Sequence, residues 1–404
     1  MKTKNVSFAT LCATELPRPA DDEARAHILP IYATSSFELD NLGQAIDRFS
    51  GAEPGYLYSR MGNPTTDAVA DKLARLETHG TDLDAYALLC STGMAAISTL
   101  MLGLLRRGDA VMAQGNIYGG TTNLLQQSLA PLGIELVYTD LTDLDRVEAD
   151  LKANPNIKLV YFESPTNPTL TCVDIAAIST AAHRYDAYAV IDNTFSTAYL
   201  QQPLALGVDF VVYSTTKYLN GHGNSILGAI IGKDEPLMRE RLTPAHRNLG
   251  TSASPFEAWL LHNGLKTLPL RLDQHCRNAQ QLAEELSTHA RVNQVFYPGL
   301  STHGTHHIAA RQMRQYGGML SFDIDGGVRE VEQLVDGLQL CHLTPTLGNV
   351  DTLVMHPATM SHAKVPRELR ERNGITDSLV RISVGIESAA DIIADVMQAL
   401  DGIR

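Results

Sequence analysis

The stretch VVYSTTKYLNGHG, residues 211–223, begins as an apolar run that reads as a buried strand. It ends in a lysine with three hydroxyl side chains before it and an Asn-Gly-His-Gly turn after it. A lysine just past a strand, at the carboxyl end of an open α/β sheet, stands where ligands of such sheets bind. Its amine acts as a nucleophile only when partly neutral, a state that burial or a nearby cation produces. On position alone, a solvated lysine is the ordinary reading. Ser214 and Thr216 change it, because both can hydrogen-bond an anion beside Lys217, while Gly221 and Gly223 let the backbone turn tightly. The combination fits a Schiff-base lysine serving an aldehyde cofactor that carries a phosphate, namely pyridoxal phosphate.

That chemistry requires two further parts. One is a carboxylate near the end of another strand, able to keep the pyridine nitrogen protonated. AYAVIDNTF (187–195) supplies Asp192 after an apolar run. The other is a helix N-terminus that offers backbone N–H groups to the phosphate. STGMAAISTLMLGLL (91–105) has this form, with Thr92, Gly93 and Met94 opening a helix directly after a strand.

Working outward, short apolar runs alternate with helical segments. YALLC (86–90), AVMA (110–113), IELVY (134–138), KLVYF (158–162), AYAVI (187–191), DFVVY (209–213) and ILGAII (226–231) predict a mostly parallel sheet covered on both faces. NPTTDAVADKLARLE (63–77) predicts a helix capped by Asn63, with Pro64 in its first turn. The first 50 residues, with Pro17, Pro19 and Pro30, read as an extended arm of the kind that packs on a neighbouring subunit. Beyond about residue 255 a long helical stretch leads to GMLSFDI (318–324), a helix near 328–340, SLVRISVGI (378–386) and a terminal helix, which together predict a smaller α+β unit. The expected division is an arm over 1–55, a cofactor-binding α/β domain over 56–250 and a C-terminal domain over 251–404.

Composition narrows the partners. The 404 residues carry a formal charge of −13, so no basic field attracts nucleic acid or anionic lipid. Five scattered cysteines without a C-x-x-C pair suggest neither a disulfide framework nor a thiolate metal site, which fits a reducing cytoplasm. Cys90 and Cys276 read as packing residues of a strand and a helix. The uncharged run 85–105 is long enough to span a bilayer, but its central CSTG reads as a strand-to-helix junction. THGTHH (302–307) has no accompanying carboxylate pattern and reads as a polar loop rather than a metal site.

From PIYATSSF (30–37) to VRISVGIES (380–388), eight further ordered motifs fall between: YSRMGNPT (58–65), STGMAAI (91–97), IYGGT (117–121), ESPTNP (163–168), IDNTF (191–195), STTKYLNGHG (214–223), GLKTLPLR (264–271) and HPATMSHA (356–363). With these motifs the chain resembles the Cys/Met-metabolism pyridoxal-phosphate enzymes, a family that includes cystathionine γ-synthases, cystathionine and methionine γ-lyases and homoserine-ester sulfhydrylases. The resemblance implies the aspartate-aminotransferase-like α/β fold (fold type I). It also implies that Lys217 holds the cofactor aldehyde and shuttles protons, that Asp192 pairs with the pyridine nitrogen, and that Ser214, Thr216, Gly93 and Met94 bind phosphate. Tyr58 and Arg60 would reach the phosphate of an adjacent subunit's cofactor, making a dimer obligatory, and the family is usually a tetramer, a dimer of such dimers. Tyr118 would stack on the cofactor ring and act as acid or base toward the leaving group. Arg381 would grip the substrate α-carboxylate, with Thr346 beside it. The implied reaction on a γ-substituted amino acid is elimination to 2-oxobutanoate or replacement by a thiol.

Several positions depart from the family pattern. Tyr118-Gly119-Gly120 stands where methionine γ-lyases commonly carry YGC, Asn224 where many relatives have Asp, and Asp351 where several have Glu. HRNLGTSASPF (246–256) also differs from the version in bacterial methionine γ-lyases. These positions bear on which side chain is accepted, and Asp351 suggests a cationic γ-substituent such as that of canavanine. Two rival classes remain. Ser214-Thr215-Thr216-Lys217 spells the S-x-x-K of penicillin-binding acyltransferases, but the S-D-N and K-T-G elements are missing. A non-catalytic cofactor binder would have no use for Tyr118 and Arg381 together with Lys217.

Overall fold

A computed structural model describes residues 6–14, 25–363, 365 and 367–404. Pro17 and Pro19 lie outside these residues. Seven strands form the larger sheet: β1 (Tyr86–Cys90), β2 (Ala110–Ala113), β3 (Glu135–Tyr138), β4 (Ile157–Glu163), β5 (Tyr188–Asp192), β6 (Phe210–Tyr213) and β7 (Gly228–Gly232). Their spatial order is β1-β7-β6-β5-β4-β2-β3, and only β7 runs antiparallel to its neighbours. The fold is α/β, as the alternation of apolar runs predicts. Strands β2, β6 and β7 are buried along their whole length, whereas the edge strand β3 is half-buried at Leu136 and Val137 and exposed at both ends. Continuous Val/Ile-rich runs are what a sheet covered on both faces requires.

A second sheet of five strands follows: β8 (Val292–Phe296), β9 (Met319–Ile324), β10 (His342–Leu343), β11 (Leu353–Met355) and β12 (Leu379–Ser383), in the order β10-β11-β12-β9-β8. Between the sheets in sequence lie helices Pro255–Leu265 and Leu268–Leu286. Three of these strands, β8, β10 and β11, are missing from the sequence reading. Two of them are only two and three residues long, too short for alternation to register.

The first residues are not simply extended. Helix α1 (Phe8–Ala13) buries Phe8, Leu11 and Cys12 in the main core. The buried Lys72 donates to the carbonyls of Cys12 and Thr14 at 2.7 and 3.1 Å, satisfying the C-terminal end of that helix. Helix α2 (Leu42–Ser50) leaves Leu42, Ile46 and Phe49 exposed, and helix α3 (Pro64–Glu77) carries the expected Asn63 cap. The apolar run 85–105 divides into β1 and helix α4 (Gly93–Leu104), and among the described residues no helix is long and apolar enough to cross a membrane. His306 and His307 open a helix, His306–Gln312, rather than lying in a loop. His306 Nδ1 lies 2.7 Å from the Pro298 carbonyl, a contact that ties this helix start to the turn before it.

Candidate active site

Strands β1, β4, β5 and β6 point their carboxyl ends the same way, and the candidate residues emerge there. β5 ends in Asp192, β4 ends in Glu163 directly across the ladder from it, and β6 leads through Ser214 to Lys217. Thr92 caps α4 by accepting the Ala95 amide at 2.8 Å. The first intrahelical bond runs from Ala96 to Thr92, so the Gly93 and Met94 amides precede the helical ladder and remain donors for an anion.

Glycine is required where α4 meets the lysine loop. A Cβ on Gly93 would sit 2.8 Å from the Ser214 Cβ, and one on Gly228 would sit 2.2 Å from the Thr92 carbonyl oxygen. The Ser214 hydroxyl therefore faces the start of α4, where an anion would lie. Thr216 is placed differently. Its hydroxyl donates to the Leu227 carbonyl and accepts the Leu227 amide, both at 3.1 Å. The single hydroxyl proton is thus engaged in holding the loop between β6 and β7.

Lys217 Nζ donates to Thr346 Oγ1 at 2.8 Å. Burial, reinforced by the Arg381 guanidinium, lowers its amine to about 8. The turn that delivers Thr346 packs its Gly348 against the lysine itself. Gly348 has φ +78°, and a Cβ there would lie 2.7 Å from the Tyr218 amide nitrogen. On the far side, the buried Arg271 of GLKTLPLR donates to the carbonyls of Tyr218, Leu219 and Gly264. Gly221 leaves room for this guanidinium, since a side chain there would collide with it, and Gly223 leaves room for Asn349. The turn after the lysine is thereby a docking surface for two other segments.

Arg381 lies in the middle of β12 and is buried. Nη1 donates to Asn167 Oδ1 at 3.1 Å and Nη2 to the Thr346 carbonyl at 3.0 Å, while Nε is buried with no partner among the described residues. Burial lowers its pKa to about 10, which leaves it cationic at neutral pH. Asp192 accepts the Thr194 amide at 3.0 Å and the Tyr161 hydroxyl at 3.4 Å. Burial raises its carboxyl above the ordinary range, and the bonds from Thr194 and Tyr161 oppose that shift.

Tyr118 is 47% exposed at the start of a short helix, Gly119–Asn123. Its ring lies over Gly120, whose missing Cβ would come 2.5 Å from the ring and 3.1 Å from Met94 Sδ. The expected residues Lys217, Thr346 and Arg381 are thus directly linked, and Met94 lies with Tyr118. Tyr58 and Arg60 stand apart. Both are exposed, with the guanidinium 5.7 Å from the tyrosine ring centroid and donating to the Arg247 carbonyl at 2.8 Å. Asp351 is half-buried, and its carboxylate has no hydrogen bond or ion pair among the described residues. The neighbouring Val350 amide bonds to Gly221, and Asn224 accepts from Asn220 at 2.9 Å, so these two departures flank one turn.

Sequence reasoning gave no role to Glu163, Asn167 or Tyr161. For Glu163 a signal existed: KLVYFE ends an apolar run in a carboxylate just as AYAVID does.

Comparison with known proteins now bears on this arrangement. The family model described as "Cys/Met metabolism PLP-dependent enzyme" matches residues 10–401. The chain belongs to that family. It is 42% identical over 376 residues, 93% of each chain, to an L-methionine gamma-lyase of Fusobacterium nucleatum subsp. polymorphum. It is 40% identical over 381 residues to a cystathionine beta-lyase of Lactococcus lactis subsp. cremoris, covering 94% of this chain and 96% of the relative. Among solved structures, cystathionine gamma synthase from Xanthomonas oryzae pv. oryzae, in complex with aminoacrylate and cysteine, superposes with a TM-score of 0.90. That match has 38% identity and covers 98% of both chains. As a member of this pyridoxal-phosphate-dependent family the protein is an enzyme of fold type I. Its residues suit the cofactor: a desolvated lysine, a buried carboxylate ending a neighbouring strand, a helix start with open amides beside a serine hydroxyl, and an arginine whose buried Nε–H has no partner among the described residues.

Proposed function

We propose that this protein catalyses γ-elimination from an L-amino acid bearing a sulfur γ-substituent, with water yielding 2-oxobutanoate, ammonia and the free thiol. The observation that carries this reading is the Lys217–Thr346–Arg381 chain, in which one residue joins a proton-transferring amine to a cation suited to an α-carboxylate. In this reading Lys217, Ser214 and the open amides of Gly93 and Met94 hold pyridoxal phosphate, with Asp192 at its nitrogen. When bound, the cofactor supplies an electron sink that acidifies the substrate's Cα and then Cβ protons. Arg381 fixes the carboxylate by two parallel N–H bonds, which sets the Cα–H bond relative to Lys217. With its amine near 8, about a tenth of free Lys217 is neutral at pH 7 and able to take a proton. Tyr118, at the exposed end of the site, protonates the departing sulfur. The likeness to methionine γ-lyases supports elimination.

The structural likeness to a cystathionine γ-synthase favours a second reading, in which cysteine or sulfide adds at Cγ of a homoserine ester. In both readings Tyr58 and Arg60, exposed and bonded away from Lys217, serve the cofactor phosphate of a second copy, in a dimer or a dimer of dimers. The five cysteines are buried and free, in keeping with a reducing cytoplasm.

The deciding experiment incubates the protein with methionine, cystathionine, O-acetylhomoserine and O-succinylhomoserine, with and without sulfide or cysteine. 2-Oxobutanoate from methionine or cystathionine alone is expected. Product that appears only when a thiol is added supports replacement, and no product from any substrate would overturn both readings.

A further inference from the structure

Glu163 is a buried carboxylate to which the chemistry above gives no task. Its Oε1 accepts the Tyr118 amide at 2.6 Å, and the backbone amide of Asn167 is directed at the same carboxylate, where it favours the ionised form. Asn167 in turn holds Arg381 through its side chain. The Glu163 amide is itself fixed by Gln114 Oε1 at 2.8 Å, so the strand end from which the carboxylate projects is anchored. One side chain therefore grips the two segments that present the leaving-group end and the carboxylate end of the site. An ionised carboxylate can accept on both oxygens, whereas glutamine has one acceptor oxygen and an NH₂ group in place of the other, so it reproduces only the contacts made to a single oxygen.

We propose that Glu163 is a positioning residue that sets the spacing between Tyr118 and Arg381, and so matches the site to an amino acid whose leaving group is on Cγ. It touches neither substrate nor leaving group. This inference rests on the assignment of Tyr118 and Arg381 to opposite ends of the substrate.

The carboxylate also lies beside Asp192, at paired positions of β4 and β5, and burial together with the Asp192 charge raises its pKa. Two acids placed side by side repel when ionised, so removing Glu163 does not weaken the hold of Asp192 on a protonated pyridine nitrogen. That separates a spacing role from a general loss of structure. A structural defect lowers cofactor affinity along with everything else, whereas loss of spacing leaves it intact.

The test uses the cofactor-loaded Glu163→Ala and Glu163→Gln variants with three readouts. These are pyridoxal phosphate affinity, the affinity for glycine followed by the cofactor's visible absorbance, and kcat on the best γ-substituted substrate. Glycine carries the α-carboxylate but no γ-substituent, so it reports the Arg381 end alone. For Glu163→Ala, glycine affinity and kcat should each fall about tenfold, the scale of a lost buried hydrogen bond to a functional group, with cofactor affinity within about twofold of the parent. Glu163→Gln should lose at least about fivefold in one of the two and less in the other. Should Glu163→Ala fail to fold, Glu163→Gln alone decides. The proposal is overturned if glycine affinity and kcat both stay within twofold, or if cofactor affinity falls in step with them. If the parent turns over no substrate but binds glycine tenfold more tightly than Glu163→Ala, the γ-elimination reading fails and the Arg381 half of the spacing role stands.

Discussion

Lys217 Nζ lies 2.8 Å from Thr346 Oγ1, and the backbone oxygen of the same threonine holds Arg381 Nη2 at 3.0 Å. The amine and the guanidinium are thus fixed relative to each other through one residue, and the charge of one lowers the pKa of the other. A hydroxyl that accepts from an ammonium favours its charged form, so Thr346→Ala should lower the Lys217 pKa further while loosening its position. The expected result is a kcat reduced about tenfold, with the alkaline rise of the pH–rate profile moved to lower pH. Thr346→Ser, which keeps the hydroxyl, should restore both. A profile unchanged in Thr346→Ala would separate the hydroxyl from the amine's chemistry.

Arg381→Lys removes the planar fork while keeping a positive charge. A lysine cannot bond Asn167, the Thr346 carbonyl and a carboxylate in the same geometry. KM for any amino-acid substrate should rise by about a hundredfold or more, on the scale of a buried charge pair that loses a partner. Steady-state kinetics on the best substrate measures it, and a KM within a few-fold of the parent would remove Arg381 from the carboxylate site.

Gly120→Cys recreates the YGC common in methionine γ-lyases. On this backbone the new Cβ would press on the Tyr118 ring at 2.5 Å, and the half-exposed ring has open space into which to turn. We expect retained cofactor binding, a folded protein and a kcat lower by about tenfold, as befits a displaced catalytic group. A kcat equal to the parent's would show that Tyr118 does not need its present orientation.

Glu77, at the end of α3, is fully buried, accepts the Tyr213 hydroxyl through Oε2 at 2.5 Å, and leaves Oε1 without a partner among the described residues. Burial raises its pKa from 4.5 to about 8. An acid whose folded pKa is raised binds its proton more tightly when folded, so its stabilising effect is greatest at low pH. That effect is lost as pH climbs from the unfolded value toward the folded one, here between about 5 and 8. Glu77→Gln keeps the acceptor for Tyr213 and cannot ionise. Thermal melting of the parent should therefore fall relative to Glu77→Gln across that window, by the equivalent of a few kcal/mol, and parallel curves would contradict it.

Asp351 presents a carboxylate beside the turn that follows Lys217. If it reads the far end of the substrate, Asp351→Ala should reduce kcat/KM for a cationic γ-substituent such as that of canavanine relative to a neutral one, by roughly tenfold. Equal effects on both substrates would assign it no part in discrimination.

The large sheet was legible because seven apolar runs, each ending near a turn signal, leave little freedom in a doubly covered sheet. Lys217 and Asp192 were legible for a related reason: a charged residue after a buried run marks the rim where ligands bind. What the sequence hid were the links. The contact between Lys217 and Thr346 joins residues 129 positions apart, and that between Arg381 and Asn167 joins residues 214 apart. No periodicity encodes such separations. Glu163 went without a role although it has the same pattern as Asp192, because its partners are backbone amides that no side-chain motif announces. Thr216 adds a link of the same hidden kind, since its hydroxyl bonds the Leu227 carbonyl across the loop between β6 and β7.

The junction of Gly93, Ser214 and Gly228 constrains the protein's history as well as its chemistry. The start of α4, the lysine loop and β7 share a space with no room for one extra carbon, so no single substitution that adds a side chain there can be accommodated without a shift in another segment. Change at this junction must come in compensated sets, and random mutagenesis one codon at a time should find it nearly silent of viable variants. New substrate preferences in this lineage would accordingly arise at the far rim, around Asn224, Asp351 and the Tyr118 turn, where neighbours can yield independently.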